Sequence, residues 1–132
     1  MKSPPTERQR SIVARRREGI ACSAIAREFG TTYEQVRRAI SLVERYDRGM
    51  QILRSDPASL EGLELVGELR TLAARSLSSR GYRTLHDLAD MTLIDLLVMP
   101  NVSRKEAEML VRLAKQAKPA MEKALLAQAA GR

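Results

Sequence analysis

Thr31, Thr32, Tyr33, Gln35, Arg37 and Arg38 fall close together and carry hydroxyl, amide and guanidinium groups. Their chemistry is hydrogen bonding, not bond breaking. An arginine offers a two-pronged fork that fits the acceptor edge of guanine. Hydroxyl and amide groups bond phosphates and base edges. The plain alternative for Arg37 and Arg38 is solvated helix charge. The other reactive side chains do not converge. Cys22 is the one cysteine and His86 the one histidine, so an internal disulfide and a Cys/His metal site are both excluded. No zinc-ligand spacing, phosphate-cradling loop or Ser/His/Asp set occurs. The expectation is a protein that is not an enzyme and needs no cofactor or metal. Cys22, beside Ala21 in an apolar stripe, reads as a small buried hydrophobe. His86 reads as an ordinary helix residue.

The elements that would position the six polar residues lie in Cys22 to Ser41, CSAIAREFGTTYEQVRRAIS. Ala26, Gly30 and Val36 have the spacing of a helix-turn-helix. Ala26 is small where the second helix crowds the first. Gly30 suits a turn that needs a left-handed backbone. Ile25, Phe29, Val36 and Ile40 supply the apolar contacts between two short helices. Thr31 or Thr32 can cap the next helix. In this register Thr32, Tyr33, Glu34, Arg37 and Arg38 point outward at the end that enters a major groove. The stretch resembles helix-turn-helix DNA-binding domains, which puts double-stranded DNA first among the partners.

Charge agrees. The 132 residues carry 23 basic and 16 acidic side chains, a net +7. Residues 1–50 hold 11 basic against 6 acidic, and residues 51–132 hold 12 against 10. Basic excess thus gathers with the helix-turn-helix, as phosphate neutralisation requires. Arg8, Arg10, Arg15, Arg16 and Arg17 are its densest cluster, with Arg15 and Arg16 placed to meet phosphates. One Phe, three Tyr and no Trp are too few for stacking on single strands. The core must come from Leu, Ile, Val, Ala and Met, and the scarcity of Gly and Pro argues for an all-α fold. No apolar run is long enough for a membrane span, and no signal peptide is visible. A lone cysteine fits a reducing, cytoplasmic setting.

Along the chain, Met1 to Pro5 reads as a frayed tail. Thr6 to Arg17 forms a first helix, with Ile12 and Val13 inward, broken at Glu18-Gly19. Ala21 to Phe29 forms a second. A third runs from Tyr33 with no breaker before Gly49, and its distal half must pack on the second half or on another copy. Gly49 to Gly62 reads as the connection, with a short helix over Pro57 to Glu61. The boundary falls near Ser55, giving residues 1–54 as a DNA-binding domain and 55–132 as a second helical domain. In that second half, Leu63 to Arg80 reads as one helix with Leu65, Leu69, Leu72, Ala73 and Leu77 inward, ended by Gly81. Thr84 caps Leu85 to Asp90, and Thr92 caps Leu93 to Val98, which Pro100 stops. Ser103 caps Arg104 to Lys118, with Ala107, Leu110, Val111 and Ala114 inward. Pro119 starts or kinks a final helix ending at Gly131. Val43 to Leu53 and Met121 to Ala129 are the candidate seams of a homodimer, or equally fold back onto their own domain.

From Leu63 to Ala114 the chain reads LELVGELRTLAARSLSSRGYRTLHDLADMTLIDLLVMPNVSRKEAEMLVRLA. Glu68-Leu69, Leu77, Thr84 to Leu88, Thr92, Asp95 to Leu97, Met99 to Val102, Arg104-Lys105 and Leu110 carry a resemblance to the C-terminal domain of the bacterial RNA polymerase alpha subunit. That domain is of the helix-hairpin-helix type. The resemblance implies a compact helical domain that binds the minor groove and touches transcription factors. It maps DNA contact onto Asn101, Ser103 and Lys105, beside Arg104, where amides at a helix start can hold a phosphate. The family's essential first-helix arginine falls on Leu72, its companion Asn on Arg75, its loop Gly on Ser103 and its Ser after Lys on Glu106. Arg75 then replaces a charge one turn later, and Arg70, Arg75 and Arg104 form a basic rim.

Together these features predict a sequence-specific transcription regulator of a bacterium, phage or mobile element, nucleoid-associated in the cytoplasm. It would read the major groove with the helix from Thr32. Its second half would contact DNA backbone, RNA polymerase or another copy. The alternative is a phage small terminase-like DNA-packaging or DNA-organising protein, which also joins a helix-turn-helix to a helical assembly region. A third is a protein-interaction module in which the motif only packs.

Overall fold

The computed structural model describes residues 4–130, with side chains through Ala117 and at Leu126. The described chain is mostly helical and contains no strand. One isolated antiparallel bridge joins Ser59 and Thr84. The helices are α1 (Glu7–Arg17), α2 (Cys22–Glu28), α3 (Tyr33–Ser55), α4 (Leu60–Leu65), α5 (Thr71–Ser79), α6 (Leu93–Leu97) and α7 (Arg104–Ala130), with a 3-10 turn at Leu85–Leu88 before α6. No helix among the described residues is long and apolar enough to cross a membrane.

Side-chain caps start most of these helices. Thr6 and Gln9 cap each other at α1, the Gln9 N–H reaching Thr6 Oγ1 at 3.2 Å and the Thr6 N–H reaching Gln9 Oε1 at 2.9 Å. Thr32 Oγ1 accepts the Gln35 N–H at 3.2 Å at the start of α3. Thr92 with Asp95 and Ser103 with Glu106 form the same reciprocal box. A shared hydrogen-bond pattern ends α1, α2, α4 and α5: a glycine N–H bonds back three residues and the next N–H bonds back five. At Gly30, with φ +63°, this turns the chain from α2 into α3.

The same turn corrects the reading of Leu63 to Arg80 as one helix. Gly67 sits at φ +88°. Its N–H meets Glu64 O at 3.0 Å, and the Glu68 N–H meets Leu63 O at 2.9 Å. The chain leaves α4 there and re-enters helix at Thr71, so Leu72 is 52 % exposed instead of inward. Leu65, Leu69, Ala73 and Leu77 are buried as the pattern predicts. The short helix begins at Leu60, not Pro57, because Ser59 Oγ accepts the Gly62 N–H at 3.1 Å and acts as its cap. Thr84 starts only a 3-10 turn over Leu85–Leu88. Cys22 is half-buried at the edge of its apolar cluster. Pro119 begins no new helix. α7 continues through it, from Arg104 to Ala130. Met1 to Ser3 of the expected tail, and the expected stop at Gly131, lie outside the described residues.

Two apolar clusters hold the chain. Ile12, Ile25, Ala26, Val36 and Ala39 form the first, with Ile20, Phe29 and Ile40 at its edge. The second spans Ala58 to Ala114, around the fully buried Leu69, Leu77, Leu88, Leu96 and Leu110. Helix α3 serves both: Val36 and Ala39 belong to the first, and Leu53 packs against the second. Gly49 is therefore no breaker. It is buried inside α3 where α4 crosses, and a Cβ there would lie 2.7 Å from Leu65 Cβ, 2.9 Å from Val66 Cγ1 and 3.0 Å from Val66 N. The distal half of α3 packs on the second half of the same chain.

Gly49→Ala is expected to destabilise the fold by about 1 kcal/mol, because overpacking at about 1–3 kcal/mol exceeds the helix-propensity gain of about 1 kcal/mol. A Cβ at Gly62 would lie 2.7 Å from Leu53 Cδ2 and Cγ and at ordinary contact distance, 3.4 Å, from Gly49 O, so its one close neighbour is a side chain that a change of rotamer can move. Gly62→Ala should thus be close to neutral. Urea melts of the two variants make the comparison, and equal losses would show that backbone proximity is not the constraint.

Candidate nucleic-acid interface

Capping by Thr32 and burial of Val36 set how the first turns of α3 present themselves. With Val36 inward, Thr32, Tyr33, Glu34, Gln35, Arg37 and Arg38 are exposed, and Thr31 is half-buried in the turn. The Thr31 N–H is taken by Ala26 O at 2.9 Å. The Arg37 guanidinium lies over the Tyr33 ring, 5.9 Å from its centroid. Arg38 Nη2 lies 3.9 Å from Glu34 Oε2. These four residues and Ser41 line one shallow recess. The start of a 23-residue helix also carries the positive end of its dipole. The surface is rich in donors and suited to anions and acceptor edges.

The arginines of α1 behave differently. Arg8 donates to Phe29 O and lies over the Phe29 ring. Arg10 makes two bonds to Asp47, at 3.1 and 3.3 Å. Arg15 bonds Glu28 at 3.1 Å and Glu18 at 2.7 Å. These contacts fasten α1 to α2, to the turn and to α3. Arg16 gives one N–H to Ile20 O at 3.2 Å and is otherwise exposed, as is Arg17. The basic cluster of the sequence is thus split between helix clamps and outward charge.

In the second half, Asn101, Ser103, Arg104 and Lys105 come together where α7 begins. Asn101 has a left-handed backbone, φ +65°. Its carbonyl accepts from Arg70 Nη2 at 3.1 Å. The Glu106 carboxylate, on a residue only 6 % exposed, accepts the Ser103 N–H at 3.1 Å, the Arg70 N–H at 2.9 Å, and Arg70 Nε and Nη2 at 3.0 and 2.7 Å. An acid from within the chain therefore occupies the helix start where a phosphate was expected. Arg104 pairs with Glu108 at 3.1 Å. Lys105 is exposed. Arg75 stands apart on α5, exposed. Arg70 is thus a clamp more than a free rim charge. The sequence signal for this arrangement was present as Ser103-x-x-Glu106, the spacing of a reciprocal cap.

Burial pushes the Glu106 carboxyl up, but the Arg70 guanidinium and the N–H groups of Arg70 and Ser103 outweigh it and hold it below its ordinary value. The Arg83 and Thr84 N–H groups lower Asp87 in the same way. Among the described residues, no group of three or more His, Cys, Asp or Glu side chains could hold a metal. No family model, curated protein or solved structure matches the chain.

A carboxylate lowered by folding contributes stability above its unfolded value, about 4.3 for Glu, and loses it as pH falls through the folded value. Wild-type stability should therefore fall on acidification below about pH 4.3. Glu106→Gln should start less stable at pH 7 and show a flatter acid limb. Glu106→Ala should cost about 2 kcal/mol at pH 7, through loss of the cap and of charge-assisted hydrogen bonds. Denaturant midpoints at pH 7 and pH 3.5 test this, and an unchanged acid limb in Glu106→Gln would refute it.

Proposed function

We propose that this chain is a DNA-binding transcription regulator that reads double-stranded DNA with the start of α3. One observation carries the proposal. Tyr33, Gln35, Arg37 and Arg38 all face solvent on the first turns of a capped helix, while Arg10 ties that helix to α1, and Arg8 and Arg15 tie α1 to the turn and to α2. A donor-rich, dipole-positive helix start on a rigid support suits a polyanion with acceptor edges. The turn at Gly30 and the burial of Ile25, Ala26 and Val36 support a helix-turn-helix reading of α2 and α3.

In this proposal the second half is a helix-hairpin-helix unit of the polymerase alpha type. Its start of α7 is filled by Glu106, and exposed Lys105 is left for any backbone contact. Its α6 presents Ile94, Leu97 and Val98, with Ile94 71 % and Val98 75 % exposed. An apolar surface of this kind suits a protein partner. RNA polymerase or a second copy of the chain is that partner.

The test is selection of the full chain against a random duplex pool, followed by binding titrations over a range of salt. Discrete enriched sites are expected, with Arg37→Ala plus Arg38→Ala costing at least about 1–3 kcal/mol on them. Lys105→Ala should leave base preference intact and lower the salt slope by about one ion. No duplex affinity at low salt would overturn the proposal. Ring-like assembly with only diffuse DNA binding would move the assignment to DNA packaging.

A further inference from the structure

The sequence presents Arg37 and Arg38 as neighbours of equal standing, but the structure holds them differently. Arg37 is stacked on Tyr33, one helical turn away, with the ring 51 % exposed. No hydrogen bond engages its guanidinium among the described residues. Arg38 leans to the Glu34 carboxylate across the neighbouring turn. Both pairs use the i,i+4 spacing that brings side chains together on a helix surface.

These two modes leave the guanidinium in opposite states. A ring face beneath the guanidinium favours one orientation and takes up none of its N–H groups. A carboxylate 3.9 Å away, beyond hydrogen-bond reach, offsets the charge without orienting the plane. Reading guanine needs two parallel N–H bonds to O6 and N7, so it needs an oriented plane with a free edge. Stacking on tyrosine supplies both.

Taking α3 as the DNA-reading helix, we infer that Arg37 is its guanine-specifying residue and Tyr33 the positioning residue that holds it. Arg38 then contributes charge without base preference. Thr32 and Val36 make this arrangement rigid from below, one capping the helix and the other anchoring it in the core. The bound sequence therefore contains a guanine opposite Arg37.

The experiment uses the full chain with the duplexes enriched by selection, in fluorescence-anisotropy titrations. The key guanine is replaced by adenine or by 7-deazaguanine, which lacks the N7 acceptor. Wild type should discriminate against either replacement by about five- to hundredfold. Tyr33→Phe keeps the ring and should match wild type. Tyr33→Leu keeps apolar bulk without the ring and should reduce the discrimination by about two- to fivefold. Arg37→Ala removes the fork and should abolish discrimination. Arg38→Lys should leave discrimination as it is. All three sites are exposed, and thermal melts of each variant confirm the fold. Discrimination that survives Arg37→Ala, or that follows Arg38, overturns the inference while leaving DNA binding in place. A wild-type chain without duplex affinity overturns both.

Discussion

Gly49 allows the backbone of α3 to lie directly against Leu65 and Val66, and most of the architecture depends on that approach. A side chain there would push α4 away and, with it, the Leu60 and Leu63 side chains that enter the second cluster. Neither cluster is large. Units of this size bury little surface and are marginal alone. One helix of 23 residues, about 34 Å long at 1.5 Å per residue, runs through both. Its first turns display polar groups on one side while Val36 and Ala39 close one core on the other, and its later turns, at Gly49 and Leu53, lie on the second half. The outward face near Tyr33 is therefore braced from both ends.

The arginines show how a surplus of one charge can be divided among tasks. Clamping goes to residues whose guanidinium meets a carbonyl or carboxylate at bonding distance, such as Arg8, Arg10, Arg15 and Arg70. Display goes to Arg17, Arg37 and Lys105, which are exposed. Composition alone cannot separate the two, because both add equally to the net charge. The distinction lies in partners far along the chain: Asp47 for Arg10, Glu106 for Arg70.

Local signals were the legible part of this sequence. Thr6, Thr32, Thr92 and Ser103 announce helix starts, and Gly19, Gly30 and Gly81 announce ends, because caps and left-handed turns depend on a few neighbouring residues. The inward positions Ile25, Val36, Ala73 and Ala107 follow from periodicity alone. Gly49 and Gly67 were harder. Both are glycines in apolar helical patterns, yet Gly67 ends a helix and Gly49 admits a neighbour. That difference comes from what crosses the helix, which no local window contains. Leu72 was misplaced although Leu69, Ala73 and Leu77 were not, since the break at Gly67 leaves it in the first turn of a new helix, off the buried face. At the interface, the grouping of residues 31–38 was legible. The unequal holding of Arg37 and Arg38 was not, because it depends on side-chain rotamers.

The clamps also bear on how the molecule comes apart in time. Most helices here meet their sequence neighbours through short glycine-ended links, so early folding has little loop-closure entropy to overcome. Arg10 with Asp47 and Arg70 with Glu106 join residues 37 and 36 positions apart, and such bridges form once the helices between them are in place. Interactions absent from the transition state govern the rate of unfolding and leave the rate of folding nearly untouched. Formed late in this way, the Arg70–Glu106 clamp would slow unfolding more than it speeds folding.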